Sequence, residues 1–271
     1  MGVKTNEDLE ADYVIVGGGT SSLVLAARLP EDDRFGTPAL WMTLLGSEAD
    51  WQLITTPQTE LGNRAIKEPQ GKLLGGSSGI NGQAFIAPSK AGIDAWSKLC
   101  ATDWTWEKLS SYYEKSYTLQ LPDEAAREHI GVSWVDQKVN WNSGPINVSF
   151  PAVLQDPLSK AWVDTFKEIG YSLTANPFSG NSIGGYSNLA AVDYETKTQS
   201  YAVTGYGLPA MQRPGVRILT KAMVQKILFD ASDARVTATG VEAIVQGELS
   251  TIKAKKEVIL TAGALHTPKA T

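Results

Sequence analysis

The sequence predicts an α/β protein, and three features of the chain lead to that prediction. An apolar, β-prone run at Tyr13–Val16 stops at three consecutive glycines and continues into a second apolar stretch at Leu23–Leu29. A dense Gly/Ser run follows at residues 71–86, and short β-prone segments return after Val216. A strand, a tight turn and a helix in this order form the first unit of a dinucleotide-binding, Rossmann-like fold. The late return of strands indicates that this domain is discontinuous.

Composition and charge limit the classes of function. Of the 271 residues, 42% are hydrophobic and 20% are charged, which is ordinary for a chain with a core. The net charge of −5 argues against a nucleic acid or an anionic membrane as partner. A single cysteine, Cys100, predicts neither an internal disulfide nor a metal site. No stretch approaches the roughly 18 apolar residues of a membrane span, and the polar start lacks a secretory h-region. We therefore expect a cytoplasmic protein.

The glycine turn after the first strand predicts a pyrophosphate site. Gly17 permits the turn, Gly19 lets backbone N–H groups approach phosphate oxygens, and the positive end of the helix dipole faces them. Ser22 stands where the pattern G-x-G-x-x-G has its third glycine, so we expect helix and strand to pack less closely. A tight β–α turn that binds no nucleotide is the alternative.

The next segment, Ala39–Leu45, is predicted as the second strand. In a dinucleotide-binding fold this strand ends in an acidic residue that binds the adenosine ribose. The first acid after it is Glu48, which comes late. Either Glu48 binds the ribose after a longer turn, or it is a solvated loop residue, and the sequence leaves both open.

The Gly/Ser run from Gly71 to Ile86 is too rich in glycine for a stable helix or a central strand. Its backbone is free to approach a flat ring or a phosphate closely. A flexible linker is the alternative, but apolar residues on both sides argue against it.

The remainder of the chain predicts a mixed region followed by strands. We expect packing roles for Trp96, Trp106, Tyr112 and Tyr113. The predicted helices are Ile93–Leu99, Trp106–Tyr117, Pro157–Ile169 and one ending at Gly205–Met211, and the predicted strands are Gly144–Ser149, Val216–Thr220, Val224–Phe229, Ala238–Val245 and Thr251–Leu260. We expect residues 1–150 to be the first part of the dinucleotide domain, 151–215 a partial substrate domain with the beginning of an α+β fold, and 216–271 the returning strands.

Several of these motifs together resemble one family. Asp12–Leu29, the run Gly75–Gly82 and the segment Val258–Ala264 are similar to the glucose-methanol-choline (GMC) oxidoreductases, in the family's order. The resemblance extends from about residue 12 to the last residue. It implies FAD as cofactor, a small alcohol as substrate, hydride transfer to flavin N5, and a step in a biosynthetic pathway.

The resemblance also implies site residues. Backbone groups of Asn81–Ala84 would lie against the flavin ring, and the backbone of Val224 would hydrogen-bond the adenine. The expected cofactor-binding residues are Gly17, Gly19, Thr20, Ser21, Glu48, Ser77, Asn81, Gly82, Gln83, Ala84 and Val224.

No catalytic residue is assigned. The resemblance reaches the opening of the family's second signature, Gly263–Lys269, and family members continue for roughly as many residues again, a part that carries the catalytic histidine. Neither His129 nor His266 is assigned as the base. An enzyme truncated before its catalytic histidine is the first interpretation, and an inactive remnant, or a half-subunit needing a protein partner, is the second. The third is a serine hydrolase, because Gly75–Gly79 fits G-x-S-x-G with Ser77 as nucleophile.

Overall fold

A computed structural model describes residues 9–26, 37–86, 88–99, 102–132, 135, 144–150, 156–171, 177–232 and 235–270. Cys100 and residues 27–29 of the first predicted helix lie outside this part of the chain. The helices are α1 (Thr20–Ala26), α2 (Trp41–Leu44), α3 (Lys90–Ser97), α4 (Trp106–Glu114), α5 (Glu124–His129), α6 (Pro157–Glu168), α7 (Leu208–Met211) and α8 (Thr267–Ala270). The strands are β1 (Leu9–Val16), β2 (Leu53–Ile54), β3 (Lys67–Glu68), β4 (Ala84–Phe85), β5 (Tyr117–Gln120), β6 (Ile146–Ser149), β7 (Leu189–Ala190), β8 (Ala222–Asp230), β9 (Thr237–Val245) and β10 (Glu248–Leu260).

The chain forms two compact units, and the first is discontinuous in sequence. It contains the described residues of 1–32, 41–80 and 201–271. Its sheet has the strand order β1-β10-β9-β8, with β1 parallel to β10 and the other pairs antiparallel. Val14, Val16 and Val241 are buried at its centre, and Val224 and Ile252 pack against them. The predicted α/β, discontinuous architecture is confirmed by this parallel pairing of the first strand with the last.

The second unit contains the described residues of 33–40 and 81–200. Its sheet has the order β4-β7-β6-β5, in which β5 and β6 are parallel. Tyr117, Ile130, Val148 and Phe178 are buried in its core. The units divide at residues 80 and 200, whereas the sequence analysis divided the chain at 150 and 215, and those domain assignments stay a prediction.

Two predicted strands are wrong. Ala39–Leu45 forms a 3₁₀ turn at Pro38–Leu40 followed by α2, because a short apolar run suits either period and proline favours the first position of a helix. Val216–Thr220 is irregular, and the strand begins only after Lys221, whose φ of 52° interrupts extended backbone.

The middle helices and returning strands are largely confirmed. Helix α6 has Asp156 as its N-cap and Gly170, at φ 80°, just after its end. Helix α4 ends at Glu114, so the predicted end at Tyr117 is wrong. The packing role expected of Tyr112 is also wrong, since Tyr112 is 66% exposed, whereas the half-exposed Trp96 packs against Trp104 with ring centroids 5.2 Å apart. No helix within the described ranges is both long and apolar enough to cross a bilayer.

Candidate functional site

The glycine turn connects β1 to α1 at the carboxyl end of the parallel strand pair. A Cβ on Gly17 would lie 2.4 Å from the carbonyl oxygen of Thr261, and the φ of Gly17 is 135°, so only glycine fits. The Gly19 carbonyl accepts the first helical hydrogen bond, from the Leu23 N–H at 2.9 Å. Gly19 is therefore the N-cap, and the amides of Thr20 and Ser21 fall in the first turn, where helical partners are lacking. Both residues are exposed, so these N–H groups are available to an anion.

Ser22 is a structural residue in this turn. Its side chain is buried, and its Oγ lies 2.9 Å from Thr261 Oγ1 and 3.3 Å from the Thr261 carbonyl oxygen. The Thr261 N–H in turn donates to the Val16 carbonyl at 2.8 Å. The Ser22 hydroxyl joins the start of α1 to the residue that follows β10, and the expectation of looser packing at Ser22 stays a prediction.

The Gly/Ser run packs directly on this turn. The Gly75 N–H donates to the Gly18 carbonyl at 2.7 Å, and Gly19 and Gly75 form a parallel bridge. A Cβ on Gly76 would come within 2.8 Å of the Gly19 Cα, so two backbones touch where a side chain would separate them. This contact excludes a flexible linker at Gly75–Gly76.

A buried tyrosine lies behind the run. A Cβ on Gly75 would meet the ring of Tyr201 at 3.0 Å, and Tyr201 is 9% exposed. Burial raises the pKa of its hydroxyl, so Tyr201 is neutral at physiological pH. A π-helix at Val203–Gly207 follows and contacts α1. Such single-turn π segments occur frequently at functional sites.

The loop after α2, where the sequence predicts a ribose-binding acid, contains two acidic side chains, Glu48 and Asp50, and their environments differ. Glu48 is exposed, and no hydrogen bond or ion pair involves its side chain within the described part of the chain. Asp50 is 5% exposed, and its carboxylate accepts the N–H groups of Gly46, Gln52 and Gln70 at 2.9–3.0 Å. Burial alone would raise the pKa of Asp50, but these three donors hold it below its usual value. Asp50 therefore organises the loop, and Glu48 alone is free to reach a ligand.

Ser77 lies in a 3₁₀ turn at Gly76–Gly79, not at a strand-to-helix turn. Its hydroxyl donates to Gln70 Oε1 and accepts the Gly71 N–H, both at 3.2 Å. A serine nucleophile needs a base in hydrogen-bond reach and a strand-to-helix elbow, and Ser77 has neither among these contacts. The hydrolase interpretation of Ser77 is therefore wrong.

The predicted flavin-facing segment, Asn81–Ala84, lies in the second unit. Asn81 Oδ1 accepts the Gln83 N–H at 3.0 Å and Gln199 Nε2 at 3.4 Å. Gln83 turns inward with a φ of 58°, is 5% exposed, and its carbonyl accepts the Ala191 N–H. Asn81, Gly82 and Ala84 remain exposed. Gln83 thus anchors the loop on its inner side through its N–H and its carbonyl, and Asn81, Gly82 and Ala84 form the exposed side that is available to a ligand.

Val224 lies on β8, which forms the opposite edge of its sheet from β1. Its side chain packs on the core, and the pairing with β9 shifts register between Val224 and Lys226. The two histidines also differ: His129 Nε2 is 2.8 Å from the Asp156 carbonyl oxygen, whereas the His266 ring lies against Trp51 with centroids 4.5 Å apart. The sequence carried no signal for the contact between His266 and Trp51, because these residues come from distant parts of the chain.

Comparisons with known proteins agree on one family. The family model described as GMC oxidoreductase matches residues 11–270. A GMC oxidoreductase family protein from Malassezia sympodialis, Mala s 12, is 33% identical over 282 residues, covering 95% of this chain and 45% of the relative. The dehydrogenase mpl7 of Monascus purpureus is 36% identical over 280 residues, covering 95% and 44%. Among solved structures, an FAD-dependent oxidoreductase from Chaetomium thermophilum has a TM-score of 0.84 at 28% identity, covering 96% of this chain and 46% of that chain. The chain thus spans about 45% of the length of the curated relatives it matches.

Proposed function

Because this chain belongs to the GMC oxidoreductases, whose cofactor is FAD, we propose that it forms the FAD-binding part of an enzyme that oxidises an alcohol. One observation carries the proposal: the backbones of Gly19 and Gly76 touch at the carboxyl end of β1, beside the exposed first turn of α1. Ligands of open α/β sheets bind outside the carboxyl ends of the strands, and amides at such a turn bind phosphate.

All of the predicted cofactor-binding residues except Glu48 have a proposed task. Gly17, Gly19, Thr20 and Ser21 bind the pyrophosphate through backbone N–H groups, and Ser77 holds the adjoining run in place through Gln70 and Gly71. The Asn81–Ala84 backbone orients the flavin ring, and backbone donors there stabilise the negative charge of a reduced ring. The Val224 backbone binds adenine. FAD supplies, when bound, the acceptor for a hydride from the alcohol carbon.

We propose neither of the two histidines, both of which lie in the described part of the chain, as the proton acceptor for the alcohol. His129 Nε2 lies within hydrogen-bond distance of the Asp156 carbonyl oxygen, and the His266 ring lies against Trp51. His266 belongs to the unit that contains the glycine turn of residues 17–21, called the phosphate turn below. We place the base in the part of the relatives beyond the match, supplied within one polypeptide or by a protein partner. A role in a biosynthetic pathway remains a prediction that a substrate screen would test.

Flavin binding by the purified chain is the experiment that tests the proposal. We expect visible flavin bands to persist through gel filtration after incubation with FAD. The variant Gly19→Ala adds a methyl group whose nearest other neighbour is the Gly76 Cα, 4.0 Å away, so the protein folds but phosphate approach is blocked. We expect at least about a tenfold loss of FAD affinity, a change of about 1.4 kcal/mol.

Gly215→Ala is the matched control, because a Cβ there meets nothing within 4 Å. It should retain flavin fully. Binding that is unchanged in Gly19→Ala would contradict the assignment of the phosphate site. If the wild-type chain is colourless after incubation with saturating FAD and gel filtration, FAD binding by this chain is contradicted and the inactive remnant is favoured.

A further inference from the structure

The environment of His266 is unusual for a polar side chain. Neither the fold nor the proposed reaction assigns this residue a role. Its ring is partly buried and tilted by 50° against Trp51. Its Nε2 atom is buried and has no hydrogen-bond partner within the described residues. Buried polar atoms are nearly always paired in native proteins, so the unpaired Nε2 calls for a partner, which an ordered water, an ion or a ligand atom would supply.

His266 lies on the segment that leaves the parallel strand pair at its carboxyl end. Thr261, the first residue after β10, bonds to Val16 and touches Gly17 of the phosphate turn. The segment then turns at Gly263, whose carbonyl accepts the Thr267 N–H at 3.0 Å. His266 therefore lies five residues and a single backbone turn beyond Thr261, the residue that contacts the phosphate turn.

A second set of contacts connects Trp51 to the same turn. Its N–H donates to the Gln70 carbonyl at 2.8 Å, and the neighbouring Gly71 packs on Gly76, which touches Gly19. Lys72 Nζ lies 5.1 Å from the centroid of the Trp51 ring. The pair of Trp51 and His266 thus joins the two segments that flank the phosphate turn.

Trp51 follows Glu48 by three residues, in the loop where the sequence predicts the ribose-binding acid. Helix α2 replaces the expected strand before that loop, and Glu48 is exposed. A ribose hydroxyl both donates and accepts hydrogen bonds, so it can pair with an imidazole nitrogen whether that nitrogen donates or accepts. A phosphate oxygen only accepts.

We propose that His266 binds the adenosine ribose of the dinucleotide through Nε2, with Trp51 fixing the orientation of its ring. This inference rests on the proposed FAD site and adds a residue to it. His266 here performs the task that an acidic residue performs elsewhere in this fold class.

The test compares two nucleotides that differ only at the ribose. ADP and 2′,3′-dideoxy-ADP are titrated into the full chain by calorimetry, alongside FAD. We expect the wild-type chain to bind ADP about 5- to 10-fold more tightly than the dideoxy analogue, as for a net hydrogen bond. His266→Phe keeps the ring against Trp51 but removes the nitrogen, so the preference should fall to about one.

His129→Phe, the same substitution at the chain's other histidine, should keep the preference. With two histidines in the chain, ring ¹⁵N spectra of the wild type provide a test that needs no substitution. ADP should move the His266 ring signals and leave those of His129 unchanged, and the dideoxy analogue should move neither.

Equal binding of the two nucleotides by the wild type, or a preference that survives His266→Phe, would overturn the inference. A chain that binds FAD without any ribose preference contradicts only the role of His266, whereas a chain that binds neither FAD nor ADP contradicts the proposed function as well.

Discussion

Replacing Ser22 by glycine would complete the G-x-G-x-x-G pattern, yet we predict that it weakens the protein. The Ser22 hydroxyl contacts Thr261 twice, at 2.9 and 3.3 Å, in a buried position at the start of α1. Glycine removes both contacts and adds backbone freedom to the first turn. The motif alone predicts the opposite sign, since a consensus glycine would improve helix–strand packing.

The size of the effect follows from two contributions. A buried hydrogen bond contributes about 0.5–1.5 kcal/mol net, and glycine costs about 0.5 kcal/mol relative to serine in a helix. With the small void left by the hydroxyl, the free energy of unfolding should fall by about 1.5–2.5 kcal/mol. At about 2–4 °C per kcal/mol for a chain of this size, the melting temperature should fall by about 3–10 °C.

Thermal unfolding followed by far-ultraviolet circular dichroism measures this change, and Ser21→Gly is the control. Ser21 occupies the neighbouring position of the same turn but is exposed, so glycine there should cost only the propensity difference of about 0.5 kcal/mol. If Ser22→Gly is no more destabilising than Ser21→Gly, or if it tightens FAD binding, the structural role assigned to the hydroxyl is refuted.

Three further predictions concern other parts of the molecule. Asp50→Asn should lower the free energy of unfolding by about 1–3 kcal/mol at neutral pH in urea denaturation. Because the folded pKa of Asp50 is depressed, its contribution is complete above about pH 4 and is lost as the pH falls through the folded value, so the variant should show a flatter acid dependence than the wild type. Asn81→Ala removes the acceptor of the Gln83 N–H and should raise amide hydrogen exchange in that loop while β5–β6 stays protected; unchanged exchange would contradict this anchoring of the loop. Gly144→Ala should disrupt the second unit, because a Cβ there would lie 2.0 Å from the Tyr117 nitrogen, and a native circular dichroism spectrum would contradict that packing.

The parts of the fold that the sequence predicts are those with strong local patterns. The strands β8 to β10 and the helix α6 have clear periodicity and clear breaks, and the glycine turn has a specific order of residues. The run Ala39–Leu45 has no decisive period, and helix-favouring Leu and Met residues there allow α2. Val216–Thr220 follows Pro214 and Gly215, and no local signal placed the strand start beyond Lys221.

The site was predictable where backbone conformation is its main requirement. Gly17 and Gly76 are essential because their backbones have no room for a Cβ, and glycine spacing reports this directly. The contacts of Ser22 with Thr261 and of Trp51 with His266 join distant segments, so nothing near either residue in sequence indicates its partner. The tertiary structure, and not the local sequence, determines these two contacts.

The pairing of β1 with β10 has a consequence for biosynthesis. Residues 9–16 leave the ribosome early but have to wait for residues 252–260, and at about 5–20 residues per second the delay is roughly 10–50 s. The strands of the second sheet all lie between residues 84 and 190, so that sheet can close while translation continues. The parallel strand pair that carries the glycine turn therefore forms after the second sheet can close, and the turn has its final surroundings only in a chain whose synthesis has passed β10.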